Sequence, residues 1–176
     1  MVPSAAMGRD IPVAFQGGGP HAVVLLDAFN AGDPVSNWVT AGDAMNTLAG
    51  KGISVAAPAS GAWSLYTNWE QDGSRQWETF LSSELPDWLA ANKGLAPGGH
   101  GIVGAAQGGT GAMMMATFHP DRYRYAGSLS GFLTPSNTTM TFIRSSTPAS
   151  FSARSACTMI TSPPFMSMMP VPRAVE

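Results

Sequence analysis

Cysteine is almost missing from this chain: Cys157 stands alone, which excludes an internal disulfide and any cysteine-based zinc cluster, and no local motif marks it as a catalytic thiol. Charge is scarce too. Only 11% of the 176 residues are Asp, Glu, Lys or Arg, and the formal net charge is -2, so nothing points to a nucleic-acid partner. No apolar run approaches the ~18 residues of a membrane-spanning helix, and Met1-Val2-Pro3-Ser4 lacks the basic flank and apolar stretch of an export signal. With 44% hydrophobic residues the chain suits a globular fold of one domain. Neither a metal site nor a cofactor motif is legible.

Other absences are local. All 20 glycines lie at or before Gly131, and the stretch from Met140 to Glu176 also lacks Lys, Asp, Trp and Tyr. Ser, Thr, Met and Pro dominate it, with no sustained period of two or 3.6. We therefore divide the chain into residues 1–139, a folded unit, and 140–176, a low-complexity tail expected to be unpacked. Such a tail is either natural or out-of-frame sequence, and the abruptness of the change favours the second. An end there would leave the last strand as an exposed edge, with poor solubility as the expected consequence.

Within residues 1–139, apolar runs bounded by turn residues alternate with helical patterns, the mark of βαβ units on a parallel sheet. Strands are expected over Asp10–Phe15, Ala22–Leu26, Ile53–Ala57, Gly101–Gly104 and Tyr125–Leu129, and helices over Trp38–Ala49, Trp77–Ala91 and Thr110–His119. On the second helix Trp77, Phe80, Leu81, Leu85, Trp88 and Leu89 share one face. Pro86 removes one helical hydrogen bond there, so a kink or two short helices is expected.

The most informative segment runs from Gly101 to Met113. A strand enters a glycine-flanked turn and leaves as a helix, the context of the G-x-S-x-G nucleophile elbow. Gly104 and Gly108 keep clear the space around the central residue, but that residue is Ala106. A methyl group cannot attack an ester, so acyl transfer by the usual route is not expected. Thr110, Ser128 and Ser130 are the nearest hydroxyls, and none has the elbow position. His21, His100 and His119 are expected to face solvent or cap elements. An ordinary glycine-rich turn is the plainer reading, since G-x-A-x-G alone is a weak motif.

The text around the elbow adds specificity. Val2-Pro3-Ser4, Met7 to Ile11, Leu25-Leu26-Asp27, Trp77 to Leu81, Ser83 to Pro86, Trp88-Leu89, His119-Pro120 and Tyr125 to Ser130 resemble, in order and spacing, the antigen 85 mycolyltransferase family of the α/β-hydrolase superfamily. The resemblance covers about Val2 to Asn137, the first part of the family domain. It implies a mostly parallel central sheet with flanking helices, incomplete at its C-terminal edge. It also implies an oxyanion site from the backbone N–H groups of Phe29 and Gln107, and sugar contact through Asp27. The family arginine after that aspartate is Asn30 here, the paired cysteines before Trp77 are missing, and the acid and histidine of the triad would follow beyond the matched part.

The closest likeness is to the secreted, serine-lacking branch regarded as an adhesin. By resemblance the chain is therefore expected to be secreted or wall-associated, non-enzymatic and fibronectin-binding, through Glu78, Phe80, Glu84, Asp87 and Trp88. The bland alternative for that helix is a covering role only. Trp63, Tyr66 and Trp69 lie in a long loop after a strand's carboxyl end, the side where open α/β sheets place ligands, and are candidates to stack on a sugar such as trehalose; the bland alternative, and the commoner one for aromatic loop residues, is that they pack over the sheet. Two other readings stand beside this one: an acyltransferase or esterase, and a truncated product without function.

Overall fold

A computed structural model describes residues 1–132. The boundary at residue 139, the tail, Cys157 and Glu176 lie outside the described residues. The chain begins with a hairpin, β1 (Val2–Ser4) against β2 (Arg9–Ile11), turned at Gly8 with φ 63°. Strands β3 (Val13–Gln16) and β4 (Ala22–Leu26) follow, then short helices α1 (Asn37–Thr40) and α2 (Ala44–Leu48). After β5 (Ser54–Pro58) a long loop leads into α3 (Trp77–Thr79), a π-helical turn over Phe80–Glu84 and α4 (Leu85–Lys93). Strand β6 (His100–Ala105), helix α5 (Gln107–Phe118) and β7 (Tyr123–Leu129) complete the order.

Five strands form one mixed sheet in the order β3-β5-β4-β6-β7, with β3 antiparallel to β5 and the other neighbours parallel. This is an α/β-hydrolase-like arrangement. The central strands are buried on both faces, as parallel strands covered by helices must be, and read accordingly as Ala-Val-Val-Leu-Leu and Ser-Val-Ala-Ala-Pro. On one face Trp77, Phe80, Leu81, Leu85 and Leu89 pack with Tyr66, Ile102, Met115 and Tyr123. The other face carries a smaller cluster of Leu25, Ala44, Val55 and Ala57, with Trp38 packed against it. Among the described residues β7 is an outermost strand, with Tyr125 73% and Leu129 53% exposed.

Two expectations need correction. The strand over Asp10–Phe15 is two strands, because Pro12 lacks an N–H and its carbonyl accepts from Ala59 N (2.8 Å) at the break. The helix over Trp38–Ala49 is also two pieces, since Gly42 lies tight against the Trp38 backbone and Asp43 takes a left-handed φ of 47°. Around Pro86 the expected helix is resolved into α3 and α4 joined by the π turn, which ends two residues before the proline. The helix ends, as expected, at Gly94, with φ 67°.

Candidate functional site

Three loops converge at the carboxyl end of the sheet: those after β4, after β5 and after β6. The last is the elbow. Ala106 sits at φ 49° and ψ −115°, a strained conformation for a side-chain-bearing residue, between β6 and α5. A Cβ on Gly104 would overlap the Gly108 carbonyl, and one on Gly108 would overlap the Leu26 carbonyl. Both glycines are thus required by backbone packing, as their spacing implied. Ala106 N donates to Leu129 O (2.8 Å), tying the turn to β7.

The substitute hydroxyls are occupied or misplaced. Thr110 Oγ1 accepts from Phe132 N (2.8 Å). Ser128 Oγ is buried without a partner, close to Gly109 and Gly131 rather than at the tip of the turn, and Ser130 is exposed beyond β7. His21 is exposed, with Nδ1 at 3.1 Å from Gly98 O, and His119 follows α5 with Nε2 at 3.1 Å from Glu78 Oε1. His100 departs from expectation. It is fully buried at the start of β6. None of the three lies on the elbow loops.

Gln107 does more than offer a backbone N–H at the start of α5. Its side chain is buried, accepting from Leu65 N (3.2 Å) through Oε1 and donating from Nε2 to Ala28 O (2.9 Å), with Ser64 Oγ at 3.4 Å. One amide therefore cross-links all three loops. The loop it holds is strained, with Trp63, Leu65 and Tyr66 all at φ between 52° and 60°. Phe29 belongs to the same assembly: its carbonyl accepts from Trp63 N (3.3 Å), and its ring lies 4.8 Å from the Trp63 ring and 5.7 Å from Phe132.

Asp27 is buried. Its Oδ1 accepts from Ser36 Oγ (3.0 Å) and Trp38 N (3.3 Å), while Oδ2 has no partner. Burial pushes its carboxyl above the usual value, against the lowering effect of those bonds. Beside it lies a shallow cavity of about 200 Å³ lined by Asp27, Ala28, Asn37, Trp38, Gly42 and Ala105. Asn30 is exposed, its carbonyl accepting from Asn37 Nδ2.

The aromatic residues divide between the two readings. Trp63 is 36% exposed, but Tyr66 is fully buried with its hydroxyl between Ser60 Oγ (3.0 Å) and Asp27 O (3.2 Å). Trp69 is also buried, donating from Nε1 to Ser64 O (3.0 Å) under the Arg75 guanidinium. Tyr66 and Trp69 cannot stack on a sugar in this arrangement, because protein already covers both rings. Trp63 alone of the three is accessible.

The helical segment from Trp77 to Lys93 divides likewise. Phe80 is fully buried and belongs to the core, which corrects its place on a partner-binding face. Glu84 is turned inward, accepting from Ser4 Oγ and from Ala6 N (2.8 Å) and so fastening the β1–β2 hairpin. Glu78 is partly exposed beside His119, Asp87 is exposed and pairs with Arg122 (3.0 Å), and Trp88 is half-buried with the Lys93 ammonium 5.5 Å from its ring centre. Among the described residues no cluster of His, Cys, Asp and Glu is able to hold a metal, and no helix is long and apolar enough to cross a membrane.

A family model described as putative esterase matches residues 4–164, nearly the whole chain and a span that runs past residue 139. The chain belongs to the putative esterase family. This family member is 81% identical over 139 residues to the MPT51/MPB51 antigen of Mycobacterium tuberculosis, covering 79% of this chain and 46% of the relative. Against the diacylglycerol acyltransferase/mycolyltransferase Ag85B of Mycolicibacterium smegmatis it is 47% identical over 145 residues, covering 77% and 45%. The esterase-family chain thus spans about half the length of these relatives.

Solved structures agree. The crystal structure of Mycobacterium tuberculosis MPT51 superposes with a TM-score of 0.78 at 75% identity, over 82% of this chain and 56% of that one. An S-formylglutathione hydrolase from Agrobacterium tumefaciens superposes at 0.67 with 17% identity, over 80% and 60%, a likeness of fold alone. The antigen 85 resemblance read from the sequence is matched by these relatives.

Proposed function

We propose that this esterase-family chain is a non-catalytic binding protein, secreted or wall-associated, whose partners are fibronectin and, at the elbow side, a carbohydrate such as trehalose. The observation that carries the reading is Ala106 in the strained central position of an otherwise intact elbow. The turn keeps the backbone of a nucleophile site and omits its oxygen. Without that atom the usual acyl-enzyme does not form, and what remains of such a site is binding.

Fibronectin enters by family resemblance and carbohydrate by the same route. The burial of Phe80 and the internal use of Glu84 narrow the accessible face of the helical segment to Glu78, Asp87 and Trp88 with Ser82 and Ser83 between. The carbohydrate surface narrows to Trp63, with Phe29 beside it and the Asp27 cavity near by.

Immobilised fibronectin tests the first partner. Wild type should bind, and the double charge reversal Glu78→Lys, Asp87→Lys should weaken binding at least about tenfold, the equivalent of ~1.4 kcal/mol. Equal binding by a variant of unchanged melting temperature would remove this face from the account. For the second partner, trehalose titration should quench or shift tryptophan emission in wild type and not in Trp63→Ala.

A further inference from the structure

We infer that the amino end of the sheet holds an acid-sensitive latch centred on His100. The imidazole replaces a peptide group there. Ala22, the first residue of β4, has an N–H that must donate, and it donates to His100 Nδ1 at 3.1 Å. Nδ1 is therefore an acceptor, which leaves the proton of the neutral ring on Nε2. Regular pairing of β4 with β6 begins one residue later, at Val23 and Gly101, so the ring bond closes the end of that ladder. His100 is 0% exposed, and Nε2 is buried without a hydrogen-bond partner.

A second proton turns Nδ1 into a donor facing another donor. The Ala22 bond is then lost, and a cation is left in a buried site. The charged groups that act on that cation, His21 and Arg122, oppose it. From the segment before β4 comes the His21 ring (6.1 Å between centres), and from β7 the Tyr123 ring (6.5 Å). Arg122, one residue before β7, adds a fixed positive charge whose partners are Asp87 and Asp121. Burial above all, then His21 and Arg122, holds the His100 imidazole below its usual value, with only the Ala96 carbonyl acting the other way.

His21 makes a useful contrast at the same end. Its Nδ1 faces a carbonyl, Gly98 O, so it is the donor nitrogen of that bond. Two neighbouring histidines therefore use Nδ1 in opposite roles, and only the His100 bond requires that nitrogen to be unprotonated.

The direction follows by linkage. As pH falls below the ordinary imidazole value of 6.5, the unfolded chain takes up the proton and the folded chain does not. Stability is complete above that pH and is lost until the folded imidazole itself titrates. Within the window the folding equilibrium constant falls with pH, with about tenfold per pH unit as the limiting slope for one proton.

Urea unfolding of the full chain at about pH 7.5 and pH 5.5 measures this in wild type, His100→Asn and His21→Gln. Asparagine keeps an acceptor for Ala22 N–H and cannot titrate. Wild type and His21→Gln should show the acid loss, and His100→Asn should lack most of it; carboxylates and His119, common to all three, cancel in the comparison. Equal acid loss in His100→Asn, or its disappearance in His21→Gln, would overturn the latch. Should His100→Asn not fold, hydrogen exchange at the Ala22 amide in wild type decides the matter. Protection that drops across the same interval supports the latch, and protection that holds refutes it.

Discussion

The two ends of the five-stranded sheet solve opposite problems. At the carboxyl end, strain is concentrated in side-chain-bearing residues: Ala106, Trp63, Leu65 and Tyr66 all have positive φ. At the amino end the histidines close ordinary hydrogen bonds, and sensitivity comes from protons instead. On the proposed reading, strain at the first end serves no acyl transfer, because the elbow position holds Ala106. Its persistence is explained if the turn still shapes a surface, which is the substance of the binding proposal.

The largest expected effect breaks the strained end. Gly108→Ala drives a methyl into the Leu26 carbonyl, backbone against backbone, and should cost more than ~3 kcal/mol or prevent folding, read by urea unfolding and circular dichroism. Next comes Gln107→Leu. It leaves Leu65 N–H and Ala28 C=O without their buried partner and should cost about 2–3 kcal/mol, with new protease cleavage between residues 61 and 67.

Away from both ends the effects shrink. Glu84→Ala releases the β1–β2 hairpin from the π turn and should cost about 1–2 kcal/mol in the same unfolding experiment. Asp87→Lys removes only an exposed ion pair with Arg122 and should change stability by less than ~1 kcal/mol. That small cost makes position 87 suitable for charge reversal. Its loss of fibronectin binding could then be read as a surface effect.

The contrast between the ends also shows what the sequence made legible. The elbow was readable because its constraints are local: three residues and two flanking glycines in five positions. Strand β4 was readable for a similar reason, as an uninterrupted apolar run between turn residues. Gln107 as a cross-brace was not, since its partners Ala28 and Leu65 lie 79 and 42 residues away and an amide advertises nothing about them. The position of His100 before an apolar run gave no sign that its ring would turn inward to serve Ala22.

The inward turn of Tyr66 left one faint trace. Gly111, in the second turn of α5, is a poor helix former, and a Cβ there would stand 2.8 Å from Tyr66 Cβ. A glycine in an otherwise apolar helix could have flagged a side chain pressed against it. Trp69 left no comparable sign, and neither did the π turn before Pro86, which a proline alone does not specify.

We propose that no hydroxyl among the described residues is activated as a nucleophile, and intact-mass spectrometry after exposure to a fluorophosphonate tests this most directly. The account expects wild type to keep its unmodified mass under conditions that label a working serine hydrolase. A stoichiometric single adduct on folded wild-type protein would contradict it, and would return the chain to the esterases that its elbow resembles.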